Sequence, residues 1–304
     1  MLPVVQGGAV LGVDVGGTAI KSWLLDDGEG RIAAAAVPTP TGDPTGARTA
    51  DAVAALAARL VSEQGTLAAI GVATPGIVDD AAGVCLNSAN LGWRDVPFEE
   101  LVAARVAVPV VVAQDVRAGA VAEKLTGAGR HRPGGLLFAP VGTGLAVAVV
   151  DEEGRPVGSR WAGEVGQVQL FSGPMPGGRV EDVASAGGLA RRFGSPDALT
   201  VARACAAGDP VAVRLWEETA EVLADVLAWC VAVSGSTTVV LGGGLARSGQ
   251  ALFRPVRARL AERLADFPPV EVLPAHHGTE AAAVGVARLA LAARSPAAKD
   301  PAGS

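Results

Sequence analysis

Two short glycine-rich stretches have the residue types to hold phosphate: Asp14-Val15-Gly16-Gly17-Thr18 and Val141-Gly142-Thr143-Gly144. Glycine lets peptide N–H groups approach an anion with no Cβ in the way, and the hydroxyls of Thr18 and Thr143 add donors. The carboxylate of Asp14 could orient Mg2+ or its waters. A plain Gly-Gly hairpin accounts for the first stretch equally well. Two such loops in different halves of a chain, each directly after an apolar run, suit a polyphosphate gripped from both sides of a cleft. A third stretch, Gly242-Gly243-Gly244, fits either a surface for a nucleobase or ribose or the tight start of a helix. Asp115 follows the apolar run Val110 to Ala113, where a helix begins, and serves there either as a general base or as the helix cap.

The elements that must position these groups alternate in the α/β manner. Three strand-like runs, Ala9 to Val15, Ile20 to Leu25 and Arg31 to Val37, are separated by turn residues and predict a meander. A helical stretch follows over Asp51 to Glu63. Apolar runs at Ala68 to Ala73 and Val108 to Ala113 then read as buried parallel strands. The second half offers strands at Gly135 to Pro140 and Leu145 to Asp151. A long helix from Pro210 to Val233 carries a core-facing stripe of Leu215, Thr219, Val222, Leu223, Val226, Leu227 and Cys230. A strand over Thr237 to Leu241, a helix from Ser248 to Ala265, a strand over Val270 to Leu273 and a helix from Thr279 to Ala293 complete the pattern. Both halves open with a strand, a glycine turn and a strand, which predicts two related α/β domains facing one cleft; with 40 glycines in the chain, coincidence is the competing explanation.

Composition bounds the function classes. At 304 residues, half of them apolar and 18% charged, the chain has material for two cores. A formal net charge of −6 argues against nucleic acid as a partner. The three cysteines, Cys85, Cys205 and Cys230, are far apart in sequence and read as small buried hydrophobes rather than a disulfide framework or a metal site. No signal peptide or membrane-length apolar run is present, so no membrane association and a cytoplasmic location are expected.

In this order along the chain, LGVDVGGTAIK (11–21), GVATPGIVDDAAGVCLNSANLGWRDVPFEEL (71–101), VVVAQD ending at Asp115, VGTG with AGEVG (141–144 and 162–166) and VVLGGGLARSG (239–249) resemble the ROK family of sugar kinases and related repressors. The resemblance runs from about Gly12 to about Leu289. It implies a two-domain actin-like or hexokinase-like ATPase fold with ribonuclease H-like halves and an interdomain cleft. The domains expected are a smaller N-terminal one, 1–113 with 279–294, and a larger one, 114–278, with 295–304 a disordered tail. It further implies that Asp115 takes a proton from a sugar hydroxyl while that oxygen attacks the γ-phosphate of ATP. Mg2+ would arrive with ATP near Asp14. Gly16, Gly17, Thr18, Gly142, Thr143 and Gly144 would hold the phosphates, and Gly243 and Gly244 the adenosine side. Asn90, Gln114, Asp115, Glu164, Gln167 and Glu181 would face the sugar, and Trp93 and Trp161 are the tryptophans near enough in sequence to stack on it.

Departures from the family pattern bear on the sugar side. Zinc-bearing members carry a histidine where this chain has Gln167, then a cysteine-rich loop; the stretch Val168 to Val180 has no cysteine, so no structural zinc is expected. Gln114 stands where the family usually has asparagine. The reading is an ATP-dependent kinase of a hexose or hexose derivative, acting as a homodimer or higher homo-oligomer, with polyphosphate open as a donor. The alternative is a catalytically weak sugar-binding regulatory protein of the same fold. A repressor role is disfavoured because no DNA-binding segment precedes Leu11.

Overall fold

The computed structural model describes residues 8–26 and 30–293, and the expected tail lies outside them. The chain forms two compact units: residues up to 122 with 158–161 and those from 280 onward, and residues 123–157 with 162–279.

The first unit opens on the expected meander, β1 (Ala9–Val15), β2 (Ala19–Leu25) and β3 (Arg31–Pro38). Helix α1 (Ala47–Gln64) and strand β4 (Leu67–Thr74) follow. Short strands β5 (Ile77–Asp79), β6 (Val84–Ser88) and β7 (Trp93–Val96) then form a separate small sheet before helix α2 (Phe98–Ala103), strand β8 (Val110–Gln114) and helix α3 (Asp115–Leu125). The main sheet has the order β3-β2-β1-β4-β8, with β1, β4 and β8 parallel.

Period-two alternation on β1 explains its two faces. Leu11, Val13 and Val15 enter the cluster that includes Val53, Leu56 and Leu60 of α1, while Val10 joins the cluster on the opposite face.

The second unit repeats the topology. Strands β9 (Leu136–Pro140), β10 (Ala148–Val150) and β11 (Pro156–Val157) form an antiparallel meander. Helices α4 (Val180–Ala184), α5 (Ala186–Phe193), α6 (Ala198–Ala206) and α7 (Pro210–Ser234) follow. They lead to β12 (Thr238–Gly242), α8 (Gly243–Ala246), α9 (Gln250–Arg263) and β13 (Glu271–Pro274). The sheet order β11-β10-β9-β12-β13, with β9, β12 and β13 parallel, is the order of the first sheet element for element. Helix α7 has strong terminal signals: Asp209 accepts from the amides of Val211 and Ala212, Pro210 takes the first turn, and Gly235 closes the far end at φ 68°. Its stripe is buried at Leu215, Thr219, Val222, Leu223 and Leu227.

Helix α10 (Ala281–Ala293) returns to the first unit and lies unusually close to strands β1 and β4 and to helix α3. A Cβ on Gly12 would fall 1.9 Å from the Ala283 carbonyl oxygen, one on Gly71 2.1 Å from that of Val286, and one on Gly285 1.6 Å from that of Ala118. Glycine at these three positions is what permits the approach. Among the described residues no helix is long and apolar enough to cross a membrane.

Candidate active site

In the first unit the parallel register sets Asp14 and Asp115 at the carboxyl ends of the central and outer strands. Asp14 of β1 is opposite Ala73 of β4, which is opposite Ala113 of β8. The carboxyl ends of these strands are where open α/β sheets take ligands. Asp14 and the start of α3 are therefore two strand spacings apart, about 10 Å.

The Gly16–Thr18 turn is tied from behind. The Gly16 amide closes the hairpin on the Ala19 carbonyl (3.0 Å), the Thr39 hydroxyl donates to the Gly16 carbonyl (2.6 Å), and the Thr39 amide donates to that of Thr18 (3.1 Å). Gly17 and Thr18 are exposed, and their amides have no backbone acceptor among the described residues. Neither Gly16 nor Gly17 has positive φ, and a Cβ on Gly17 would meet only the Asn90 backbone oxygen and Cβ, at 3.5 and 3.6 Å. What glycine provides here is open space above the amides. The same contact sets Asn90 beside the turn.

Asp14 is partly buried, and removal from water pushes its pKa up to about 6, with Lys21 across the hairpin pulling it down. An under-neutralised carboxylate at the carboxyl end of a central strand suits a cation. Among the described residues no group of three His, Cys, Asp or Glu side chains is placed to hold a metal by itself. A single carboxylate here is compatible only with an ion such as Mg2+ that would draw most of its ligands from water and a bound phosphate.

Asp115 occupies the first turn of α3. The capping contact at this helix start comes from its neighbour: Gln114, buried, accepts from the Arg117 amide through Oε1 at 3.0 Å. Asp115 Oδ1 accepts from the Val116 amide at 2.8 Å. The helix start is fixed by a polar cluster that local sequence reading missed. Asp80 accepts from the Gln114 amide (3.1 Å) and takes both Nε (2.6 Å) and Nη2 (2.9 Å) of Arg117, whose side chain is 2% exposed. Arg117 also donates to the Val78 carbonyl at 2.8 Å, and Arg160 pairs with Asp79 at 2.7 Å. The signal available was the Asp79-Asp80 doublet, but its partners lie 37 and 81 residues away.

Trp93 is corrected by its position: it lies in β7, is 2% exposed, packs against Phe98 at 4.5 Å between centroids with the rings tilted by 41°, and donates its indole N–H to the Asp43 carbonyl. It belongs to the core and is not placed to stack on a ligand. Trp161 is 67% exposed.

In the second unit the loop from Gly142 to Gly144 stands between β9 and β10, as Gly16–Thr18 stands between β1 and β2. It too is held from behind. The Gly142 amide closes on the Gly144 carbonyl (3.1 Å), the Ala186 amide donates to the Gly142 carbonyl (2.8 Å), and buried Ser185 sets its hydroxyl 3.0 Å from the Thr143 carbonyl. Thr143 is exposed, and the amides of Thr143 and Gly144 have no backbone acceptor among the described residues.

The glycine turn after β12 packs directly on this loop. The Leu245 amide donates to the Val141 carbonyl (3.0 Å), and Gly243, at φ 77°, would drive a Cβ to 2.5 Å from the same oxygen. Gly244 is exposed, with nothing within 4 Å of a Cβ position.

Glu164, Gln167 and Glu181 are grouped around the outgoing side of the loop. The Val147 amide donates to the Gly163 carbonyl (2.9 Å), and Cβ atoms on Gly163 and Gly166 would fall 1.9 and 2.1 Å from the carbonyls of Val147 and Leu145. These contacts fix the ends of the segment bearing Glu164. A Cβ on Gly144 would lie 2.7 Å from Oε2 of Glu181. Gln167 ends a 3-10 turn and accepts from Arg179 Nη1 through Oε1 at 3.0 Å.

A model of the ROK family matches residues 10–293. A ROK hexokinase from Thermus thermophilus superposes with a TM-score of 0.83 at 31% identity, over 94% of this chain and 98% of that one. A ROK family glucokinase from Streptomyces griseus, solved with glucose and AMPPNP, gives a TM-score of 0.76 at 28% identity over 93% and 99% of the two chains. An N-acetylmannosamine kinase from Shigella boydii is 32% identical over 92% of this chain and 97% of its own length. The repeated sheets and these likenesses together give the actin-like ATPase fold expected from the motifs, and with the match over nearly all of its length they make this chain a member of the ROK family.

Proposed function

We propose that the protein is an ATP-dependent sugar kinase that transfers the γ-phosphoryl group to a hydroxyl of a hexose or hexose derivative. The observation that carries this reading is the pair of glycine loops, Gly16–Thr18 and Gly142–Gly144. In each, at least two carbonyls are tied back (Gly16 and Thr18; Gly142 and Thr143), and two amides (Gly17 and Thr18; Thr143 and Gly144) and a threonine hydroxyl are left as donors. Phosphoryl transfer asks a protein mainly for positioning and neutralisation of phosphate charge, and such donors supply both.

In this reading Asp115 accepts the proton of the attacking sugar hydroxyl, and Asp80 and Arg117 fix the helix start that carries it. Asp14 holds Mg2+, directly or through water; when bound, the ion neutralises charge on the phosphate oxygens. Gly243 and Gly244 border the adenosine. Asn90, Gln114, Glu164, Gln167 and Glu181 border the sugar. The names of the relatives make glucose and N-acetylmannosamine the first acceptors to try. The reaction belongs in the cytoplasm, where ATP is supplied. Apolar Trp229 and Val233, 75% and 87% exposed on α7, support a homo-oligomer.

The test is ADP release with Mg2+ and ATP across a panel of hexoses, amino sugars and N-acetylated sugars, with polyphosphate as a second donor. Sugar-dependent turnover is expected, and Asp115→Asn should lower kcat by about 100- to 10,000-fold. Sugar binding without turnover in the wild type would favour the regulatory reading. Full turnover in Asp115→Asn would remove its role as base.

A further inference from the structure

The segment between Gln167 and Glu181 is closed by a short ladder and one arginine. The Val180 amide donates to the Val168 carbonyl (2.9 Å), the Leu170 amide to that of Gly178 (2.8 Å), and the Gly177 amide to that of Leu170 (2.8 Å). At the base of this ladder the Arg179 guanidinium reaches three side chains. It donates to Gln167 Oε1 at 3.0 Å, approaches Glu181 Oε1 at 3.1 Å through the same nitrogen, and approaches Asp182 Oδ1 at 3.4 Å through Nη2. Asp182 is fixed in turn: it accepts from the Arg179 backbone amide at 3.0 Å and pairs with Arg191 at 3.1 Å.

Guanidinium nitrogens donate and never accept, so the Gln167 atom facing Arg179 has to be the amide oxygen. The Gln167 NH2 group then points away from Arg179 as a donor. Glu181 is divided in the same way, with Oε1 toward Arg179 and Oε2 toward Gly144.

We infer that Arg179 is a specificity-determining positioning residue: it fixes the Gln167 amide and the Glu181 carboxylate so that this unit offers the sugar one hydrogen-bond donor and one acceptor. The inference rests on the sugar-kinase reading and deepens it. The substituent recognised is one that both accepts and donates, which describes a hydroxyl or an acetamido group. The fork adds a second nitrogen, Nη2, that reaches Asp182 while Nη1 serves Gln167 and Glu181, an anchoring that a lysine's point charge reproduces only in part.

The experiment uses the full chain with glucose and N-acetylmannosamine as separate acceptors. It compares wild type with Arg179→Met, Arg179→Lys and Gln167→Glu in KM for sugar, KM for ATP, kcat and Tm. Arg179→Met is expected to raise sugar KM about tenfold, the scale of one lost hydrogen bond. KM for ATP should stay within about twofold, and Arg179→Lys should recover part of the loss. Gln167→Glu separates positioning from scaffolding. Its carboxylate still accepts from Arg179 but shares that nitrogen with Glu181, so attraction and like-charge repulsion offset and Tm should stay close to wild type, yet the donor is gone and sugar KM should rise at least tenfold.

The acceptor that loses more in Gln167→Glu identifies the substituent read at this position. Sugar KM within twofold of wild type in Gln167→Glu, or KM for sugar and ATP rising together in Arg179→Met, overturns the inference. If the wild type gives no turnover, calorimetric sugar binding is compared across the same variants. A binding loss confined to the variants keeps the Arg179 assignment while the kinase reading fails, and no sugar binding by the wild type ends both.

Discussion

Replacing Asp14 by asparagine should stabilise the ligand-free protein while disabling it, and the gain should depend on pH. The carboxyl pKa rises on folding from 3.8 to about 6 because burial disfavours its charge. At about 1.4 kcal/mol per pH unit this corresponds to at most ~3 kcal/mol. Partial contact with solvent reduces the figure to about 1 to 2 kcal/mol.

The sign follows from which state ionises first. Below pH 3.8 the carboxyl is protonated folded or unfolded, and it costs nothing. Between 3.8 and about 6 the unfolded chain ionises first, so the folded state loses ground as pH rises, and above that window the full penalty is present. Asparagine has no such penalty. Thermal melts of both proteins without nucleotide, at matched pH values from 4 to 8, should therefore start together and separate. The variant should melt about 2 to 8 °C higher at pH 7.5. Mg2+ with ATP should raise the melting temperature of the wild type and do little for the variant. A gap that does not change with pH, or a variant that melts lower at pH 7.5, would refute the argument that burial of this charge is held in reserve for a cation.

Gly285→Ala places a Cβ 1.6 Å from the Ala118 carbonyl oxygen, so α10 must lift off α3. A loss of about 3 kcal/mol or more is expected in denaturant unfolding, against near neutrality for alanine at exposed Gly244. Thr39→Val removes the 2.6 Å hydrogen bond to the Gly16 carbonyl. It should raise KM for ATP about three- to tenfold with sugar KM unchanged, measured under saturation by the other substrate.

Much of the fold was legible because its signals are local. The meander, β4, β8, α7 and α10 follow from runs of apolar residues bounded by turn residues, and the caps of α7 are adjacent in sequence. Misplaced elements have non-local causes. The run Leu145 to Asp151 reads as one strand, yet only Ala148–Val150 is β10, because Val147 hydrogen-bonds Gly163 instead of a strand. Helix α1 is a local exception: it begins at Ala47, ahead of the expected Asp51, where Asp43, six residues before Thr49, accepts from both its amide and its hydroxyl at 2.8 Å. Strands β5 to β7 are too short and too mixed in polarity to announce themselves. In the site, the glycine loops and Asp115 show in the sequence as motifs. Asp80 and Arg117 meet across a separation of 37 residues that only folding closes, and Arg179 meets Gln167 across a separation of 12, so single-residue reading has no handle on them.

The two loops also explain why the repeat in the topology is faint in the sequence. Each loop must direct amides outward, and it does so by having its carbonyls taken from behind. In the first unit the strand β3 does this, through Thr39 just beyond its end. In the second unit β11 is two residues long, and the N-terminus of α5 does it through Ser185 and Ala186. What the two units share is the direction of a few peptide groups, which glycine permits and which Thr39 in one unit and Ser185 in the other hold by different contacts. The strand-loop-strand unit and the sheet order are thus common to both units, while the residues that hold each loop come from different elements.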